Sequence, residues 1–387
     1  MRLNPKNHNM ITFFNNLKLD EEFINKNTKA CLKEIHSAIV SCPHYVFSNR
    51  SSAQEIKKSV RFQTPIAEGI KDSIYMPKEI QEFIKFTPCR YITYETIQNG
   101  RRIIIHFCTY DDDEYDEYVP LMLNVLWVLD KFSHKSCLKS KDFHIYIYFT
   151  YFAKILTDGI IASKHINTGV NVKTASCSSK HHENINEIAI YRKEDWFKVF
   201  IHESIHSFRL DFSENGKDGL KMLFPVTTDF NLFEAYTEFW AEIINMTYCA
   251  MVLDPKFEKV IQNMNIMLQI ERRFSLYQAM KILKYMNLTY ENVITSSEKY
   301  REETNVFSYF VLKLCLMYNF NNFFMCCKKN GKNLLNYDEK KIIRIIDFIE
   351  QHYKGEKLLK DIRFMEKLNI KDKDLLNNAK MTLFELI

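Results

Sequence analysis

From position 90 the chain alternates. RYITYETIQNGRRIIIHFCTY sets two β-rich runs on either side of Asn99-Gly100, and because both turn residues tolerate positive φ the pair predicts a tight hairpin that opens an antiparallel sheet. DFHIYIYFT keeps the period of two, while HINTGVNVKTA and NEIAIYRK predict two more strands separated by the polar loop SCSSKHHEN. Elsewhere apolar positions recur at three and four. That spacing predicts helices in EEFINKNTKACLKEIHSAIV, KEIQEFIKF, VPLMLNVLWVLDKF, NLFEAYTEFWAEIINMTY, PKFEKVIQNMNIMLQIERRF, QAMKILKYM, REETNVFSYFVLKLCLMY and DEKKIIRIIDFIEQHY. The expected fold class is α+β, with a small antiparallel or mixed sheet followed by a mostly helical half. Four regions are expected: helical 1–89, sheet-bearing 90–212, helical 213–330 and a helical tail 331–387 whose DIRFMEKLNIKDKDLLNNAK reads as a solvated helix.

Composition narrows the class. A hydrophobic share of 46% with only 8 Gly and 8 Pro fits a packed globular chain of 387 residues and excludes collagen-like tracts and long disordered linkers. The most apolar run, FSYFVLKLCLMYNFNNFFMCC, is interrupted by Lys313, Asn319, Asn321 and Asn322, so it predicts a buried helix and no membrane span. A net charge of +5 from 53 basic and 48 acidic residues leaves no electrostatic footprint for nucleic acid. The 10 cysteines are scattered without a C-x-x-C pair and read as reduced thiols; with no signal-peptide pattern in MRLNPKNHNMITFF, the expectation is an intracellular, cytoplasmic chain. DDDEYDEY lacks the spaced ligands of a calcium loop and reads as a solvated turn.

One segment breaks the rule that polar groups sit on wet faces. In DWFKVFIHESIHSFRLDF, His202 and His206 are four residues apart and project from one helix face, near enough to hold one metal ion through imidazole nitrogens. Glu203 lies about 100° around from His202, beside such an ion and within reach of its water. This is the H-E-x-x-H pattern, in which a metal lowers the pKa of a bound water and the Glu takes its proton. Trp196, Val199, Phe200, Ile201, Ile205 and Phe208 surround it with apolar groups, and burying imidazoles and a carboxylate without partners would cost several kcal/mol.

A catalytic zinc ion needs a third protein ligand and an open position. A metzincin would place Gly and His soon after His206, where this chain has Arg209 and Phe212. The chain offers instead Glu234 and Glu238, at i and i+4 on an apolar helix, with Asp229 ahead of them as a candidate N-cap. Either acid could ligate on spacing alone.

EAYTE resembles the E-x-x-x-D/E element of gluzincin metallopeptidases of the thermolysin and neprilysin types. The resemblance covers about residues 165–245 and implies a zincin-like fold with one Zn2+ held by His202, His206 and Glu234. It further implies Glu203 as general base and Glu238 as the acid that orients a ligating His. Zincins pair substrate with an antiparallel edge strand, which implies that role for HINTGVNVKTA, where Gly169 would permit close backbone approach. They also add an oxyanion donor, for which Tyr309, Tyr300 and Tyr236 are candidates, Tyr309 being carried forward as a substrate-binding residue. YRKEDWFKVFIHESIHSFRLDF and an Asn/Lys/Ile-rich style are similar to uncharacterised proteins of large cytoplasmic DNA viruses.

The expected function is a zinc-dependent hydrolase acting on peptide or protein substrates. An inactive zincin-like binding or structural virion protein is the alternative, disfavoured by the intact Glu203. His181 and His182 read as solvated, and His106, His144 and His165 as satisfied sheet histidines. Nothing in the sequence specifies an oligomeric state.

Overall fold

The computed structural model describes residues 1–43, 47, 56–62, 75–133, 142–156, 169–173, 185–211, 217–228, 231–295, 300–303, 305–328, 334–335 and 339–387. Their strands are β1 (Lys57–Phe62), β2 (Arg90–Gln98), β3 (Arg101–Thr109), β4 (Asp142–Tyr148), β5 (Gly169–Lys173) and β6 (Ile185–Ile190). The helices begin with α1 (His8–Asn15), α2 (Lys26–Val40), α3 (Lys78–Phe86), α4 (Tyr118–Phe132) and α5 (Trp196–Ser207). There follow α6 (Lys217–Leu223), α7 (Leu232–Leu253), α8 (Phe257–Tyr285), α9 (Tyr290–Thr295), α10 (Lys313–Tyr318) and α11 (Phe320–Lys328). The series closes with α12 (Glu339–His352), α13 (Glu356–Lys367) and α14 (Lys373–Asn377).

The chain divides into two compact units, one of residues 1, 34–154 and 167–210, the other of 2–33, 155–166 and 211–387. The first is α+β. Its strands form one mixed sheet in the order β1-β2-β3-β4-β6-β5, in which β3, β4 and β6 run parallel and the remaining pairs antiparallel. The β2–β3 hairpin turns at Asn99 (φ 51°) and Gly100 (φ 77°), the double positive φ of a two-residue hairpin turn. Strand β1 is a departure from the helical N-terminal region expected on periodicity: KKSVRF alternates on an edge, where pairing with β2 decides its form.

Successive residues of β3 face opposite sides. Phe107 points toward α4 and α5, where Phe149 stacks on Tyr115 and meets Trp196 edge-on at 5.4 Å. On the Cys108 side, Met76, Ile80 and Ile84 of the α3 region pack on Tyr91, Tyr148, Ala189 and Tyr191. Helix α4 is buried on nearly every face, which explains why its sequence shows so little polar periodicity. The acidic run is a paired surface: Asp111 and Asp113 each accept from Lys193 at 2.8 Å, and Arg90 donates to Glu114 at 2.8 Å.

The second unit is helical around α7 and α8. PKFEKVIQNMNIMLQIERRF and QAMKILKYM, expected as two helices, form one continuous helix of 29 residues. The apolar run expected as a single buried helix is instead broken: a π-helical turn at Ser308–Leu312 leads into α10, and α11 departs at 91°. Asn319 at the break donates its side-chain amide to the Cys315 carbonyl, one turn back, at 3.2 Å, offering the backbone an alternative to helix continuation. Among the described residues, no single helix is long and apolar enough to cross a membrane. The tail also differs from the expected solvated helix, since Ala379, Met381, Leu383, Phe384 and Leu386 are buried. Thr382 Oγ and the Leu383 amide donate to the buried Glu271 carboxylate at 2.6 and 2.8 Å, which ties this segment to α8.

Candidate metal centre

In the first unit, α5 carries the H-E-x-x-H residues. It starts at Asp195, which adopts a left-handed φ of 56° and makes no side-chain capping bond to the helix. Its carboxylate instead meets Lys154 Nζ at 2.7 Å, with both side chains fully buried. Such a conformation costs about 1–3 kcal/mol, and the ion pair ties that strained residue to the segment leaving β4. Arg192 adds a second tie, donating to the carbonyl of Ala153 at 2.9 Å. At the other end the Leu210 and Arg209 amides donate to the Ile205 and His206 carbonyls, with Arg209 at φ 52°. This is a Schellman stop, so the helix ends where a metzincin would continue toward its third His.

Between these fixed ends, His202 Nε2 and His206 Nε2 lie 3.1 Å apart, their rings inclined at 73°. Two nitrogens bound to a tetrahedral zinc at about 2.0–2.1 Å would be separated by about 3.3 Å, so the pair is already in convergent geometry. His202 is 5% exposed and Glu203 8%, so both polar groups sit where burial without a partner would be costly. Glu203 also acts on Tyr191: burial first, and then the Glu203 charge against the pull of Arg192, holds that phenol well above its ordinary range. Tyr191 accordingly stays a donor, to the Tyr75 carbonyl at 2.8 Å.

Gly169 opens β5, an edge strand of the sheet that pairs antiparallel with β6. A bulge interrupts its register between Asn171 and Lys173. Helix α5 packs against β5 and β6. His165, His181 and His182 lie outside the described residues. His106 and His144 satisfy each other, Nε2 to Nδ1 at 3.1 Å, with Tyr91 Oη 2.5 Å from the other nitrogen of His106.

In the second unit, Glu234 sits in the first turn of α7 and Glu238 one turn later. Glu234 is half-buried and accepts a hydrogen bond from Tyr309 Oη at 3.0 Å; Glu238 is 1% exposed. The N-cap position of α7 is Asn231 and not Asp229, which lies outside the described residues. Capping comes from a distant part of the same unit, the Asn231 amide donating to Ser308 Oγ at 3.0 Å. Tyr300 and Tyr236, the other oxyanion candidates, are fully buried; Tyr300 donates to Glu302 at 2.6 Å and Tyr236 accepts from Lys341 at 2.8 Å.

Sequence reasoning missed what lies beneath Glu238. Glu242, one turn further along α7, accepts from Lys313 Nζ at 2.6 Å. Burial, together with the charges of Glu271 and Glu238 and against the pull of Lys313, pushes Glu242 up to about 8. The signal was present in Lys313 as an interruption of an apolar run, but its partner is 71 residues away.

His202, His206 and Glu234 supply the donor types that a metal ion takes, two imidazole nitrogens and a carboxylate oxygen. No family model matches the chain, and no curated protein or solved structure matches it either.

Proposed function

We propose that the chain is a zinc-dependent hydrolase, a peptidase, in which His202, His206 and Glu234 hold one zinc ion. The observation that carries this reading is the 3.1 Å separation of the two Nε2 atoms on a buried helix whose intervening residues include Glu203. Two imidazoles and one carboxylate are the ligand set of a hydrolytic zinc site with an open position, and the donors present fit it. Bound zinc would lower the pKa of a water to about 7 and polarise the scissile carbonyl.

The chain's own residues do the rest. Glu203 accepts the proton of the attacking water and delivers it to the leaving amine, so no covalent intermediate is needed. Glu234 takes the ligand role because it is partly exposed, whereas Glu238 is buried and suits an orienting acid. An extended peptide adds to the edge at β5, with backbone hydrogen bonds supplying affinity.

The test is metal analysis of the purified chain together with cleavage of a peptide library, with and without chelator. One zinc per chain and chelator-sensitive cleavage are expected. Absence of bound metal would remove the reading; bound metal without any cleavage would favour the inactive, binding form of the same site.

A further inference from the structure

Resting on that reading, we infer that Tyr309 is the positioning residue for the Glu234 carboxylate, and that the π-helical turn at Ser308–Leu312 exists to put it there. A Glu side chain in the first turn of a helix has several staggered rotamers available, and only some would present an oxygen to an ion. Tyr309 Oη donates to Glu234 Oε2 at 3.0 Å and limits that choice. The phenol is itself held: Tyr309 is 5% exposed, and a Tyr has only two χ angles to fix.

Neighbouring contacts set the register. Ser308 Oγ accepts from the Asn231 amide at 3.0 Å, and Lys313 Nζ donates to Glu242 Oε1 at 2.6 Å. Residues 308, 309 and 313 thus meet 231, 234 and 242 in the same order, a ladder of three polar rungs along α7. The π turn, closed by the Lys313 amide on the Ser308 carbonyl, lies between the first rung and the last. Such turns are rare and collect at functional sites. Placing Tyr309 on Glu234 while Lys313 stays on Glu242 is what the wider turn achieves here.

Donor identity fits the job. A Lys or Arg in place of Tyr309 would neutralise the carboxylate as a ligand, whereas a neutral phenol orients it and leaves its charge for the ion. The hydrogen bond also separates this role from that of an oxyanion donor, which would aim at substrate.

The experiment measures zinc affinity of the full chain by competition with a chromogenic chelator, alongside melting of the metal-free protein. Tyr309→Phe is expected to weaken zinc about 10–100-fold, the usual effect of removing a residue that orients a ligand. In a Glu234→Ala background the same change is expected to alter affinity by less than about two-fold, because the coupled partner is gone. Ser308→Ala, which removes a register contact and leaves the Tyr309 phenol in place, should lower the melting temperature and weaken zinc by less than Tyr309→Phe does. Wild-type affinity in Tyr309→Phe, or an equal loss with and without Glu234, overturns the assignment while the zinc reading stands. A wild-type chain that takes up no zinc overturns both.

Discussion

Lys313 and Glu242 meet at 2.6 Å with side chains 2% and 0% exposed, joining α10 to α7 by an ion pair removed from solvent. A buried charge without its partner is expensive, roughly 3–5 kcal/mol when one member is removed. Burial pushes Glu242 up to about 8 and Lys313 opposes that shift. Lys313→Met should therefore destabilise the chain most above pH 8, where Glu242 of the unsubstituted chain ionises beside Lys313 and the variant offers no such partner, and least near pH 5, where Glu242 is protonated. Denaturation at the two pH values measures the difference, and equal losses would contradict the account. In the unsubstituted chain the sign is the same for Glu242: its folded value lies above its ordinary 4.5, so its contribution is full below 4.5 and is lost as pH rises through about 8.

His106 predicts the opposite slope. Burial, and secondarily the neighbouring His144, pushes its pKa down to about 3. A base whose folded value is depressed contributes stability above its ordinary 6.5 and loses it as pH falls toward about 3. His106→Phe keeps a ring against Tyr146, whose centroid lies 4.2 Å from that of the imidazole, but cannot titrate. Its stability should fall less between pH 7 and pH 4 than that of the unsubstituted chain, by an amount on the order of a few kcal/mol. Urea midpoints across that range provide the measurement.

Gly100 sits at φ +77° with nothing within 4 Å of the place a Cβ would occupy. Any cost of Gly100→Ala is then a backbone cost, about 1–2 kcal/mol for an L residue in the left-handed region. Chemical denaturation should show that loss with an unchanged slope. A neutral substitution would mean that the turn relaxes to another form.

Glu203→Gln removes the proton acceptor and retains the size of the side chain. Metal content should be unchanged, and cleavage should fall by about 10²–10⁴-fold. Full activity in that variant removes the general-base role.

Local pattern carried much of the fold. Asn99-Gly100 announced the hairpin because the turn demands positive φ at both residues, and the period-two runs announced β2, β3, β4 and β6. Strand β1 was hidden because an edge strand is stabilised by its neighbour more than by its own residues. The break at Asn319 was hidden for a related reason: nothing in an apolar run states where one polar side chain will compete for a carbonyl.

By itself the sequence determined the candidate chemistry of α5, since two imidazoles four residues apart on any helix share a face, and the structure places their nitrogens 3.1 Å apart. It also determined that α7 would carry Glu234 and Glu238 on one face. Only the tertiary structure decided which groups support them: Tyr309 on Glu234, Ser308 on the start of α7, Lys313 on Glu242, and Lys154 on Asp195. Helical spacing is a local property of the backbone and can be read from a short window, whereas these partners are brought together by the collapse of apolar surfaces that no short window contains.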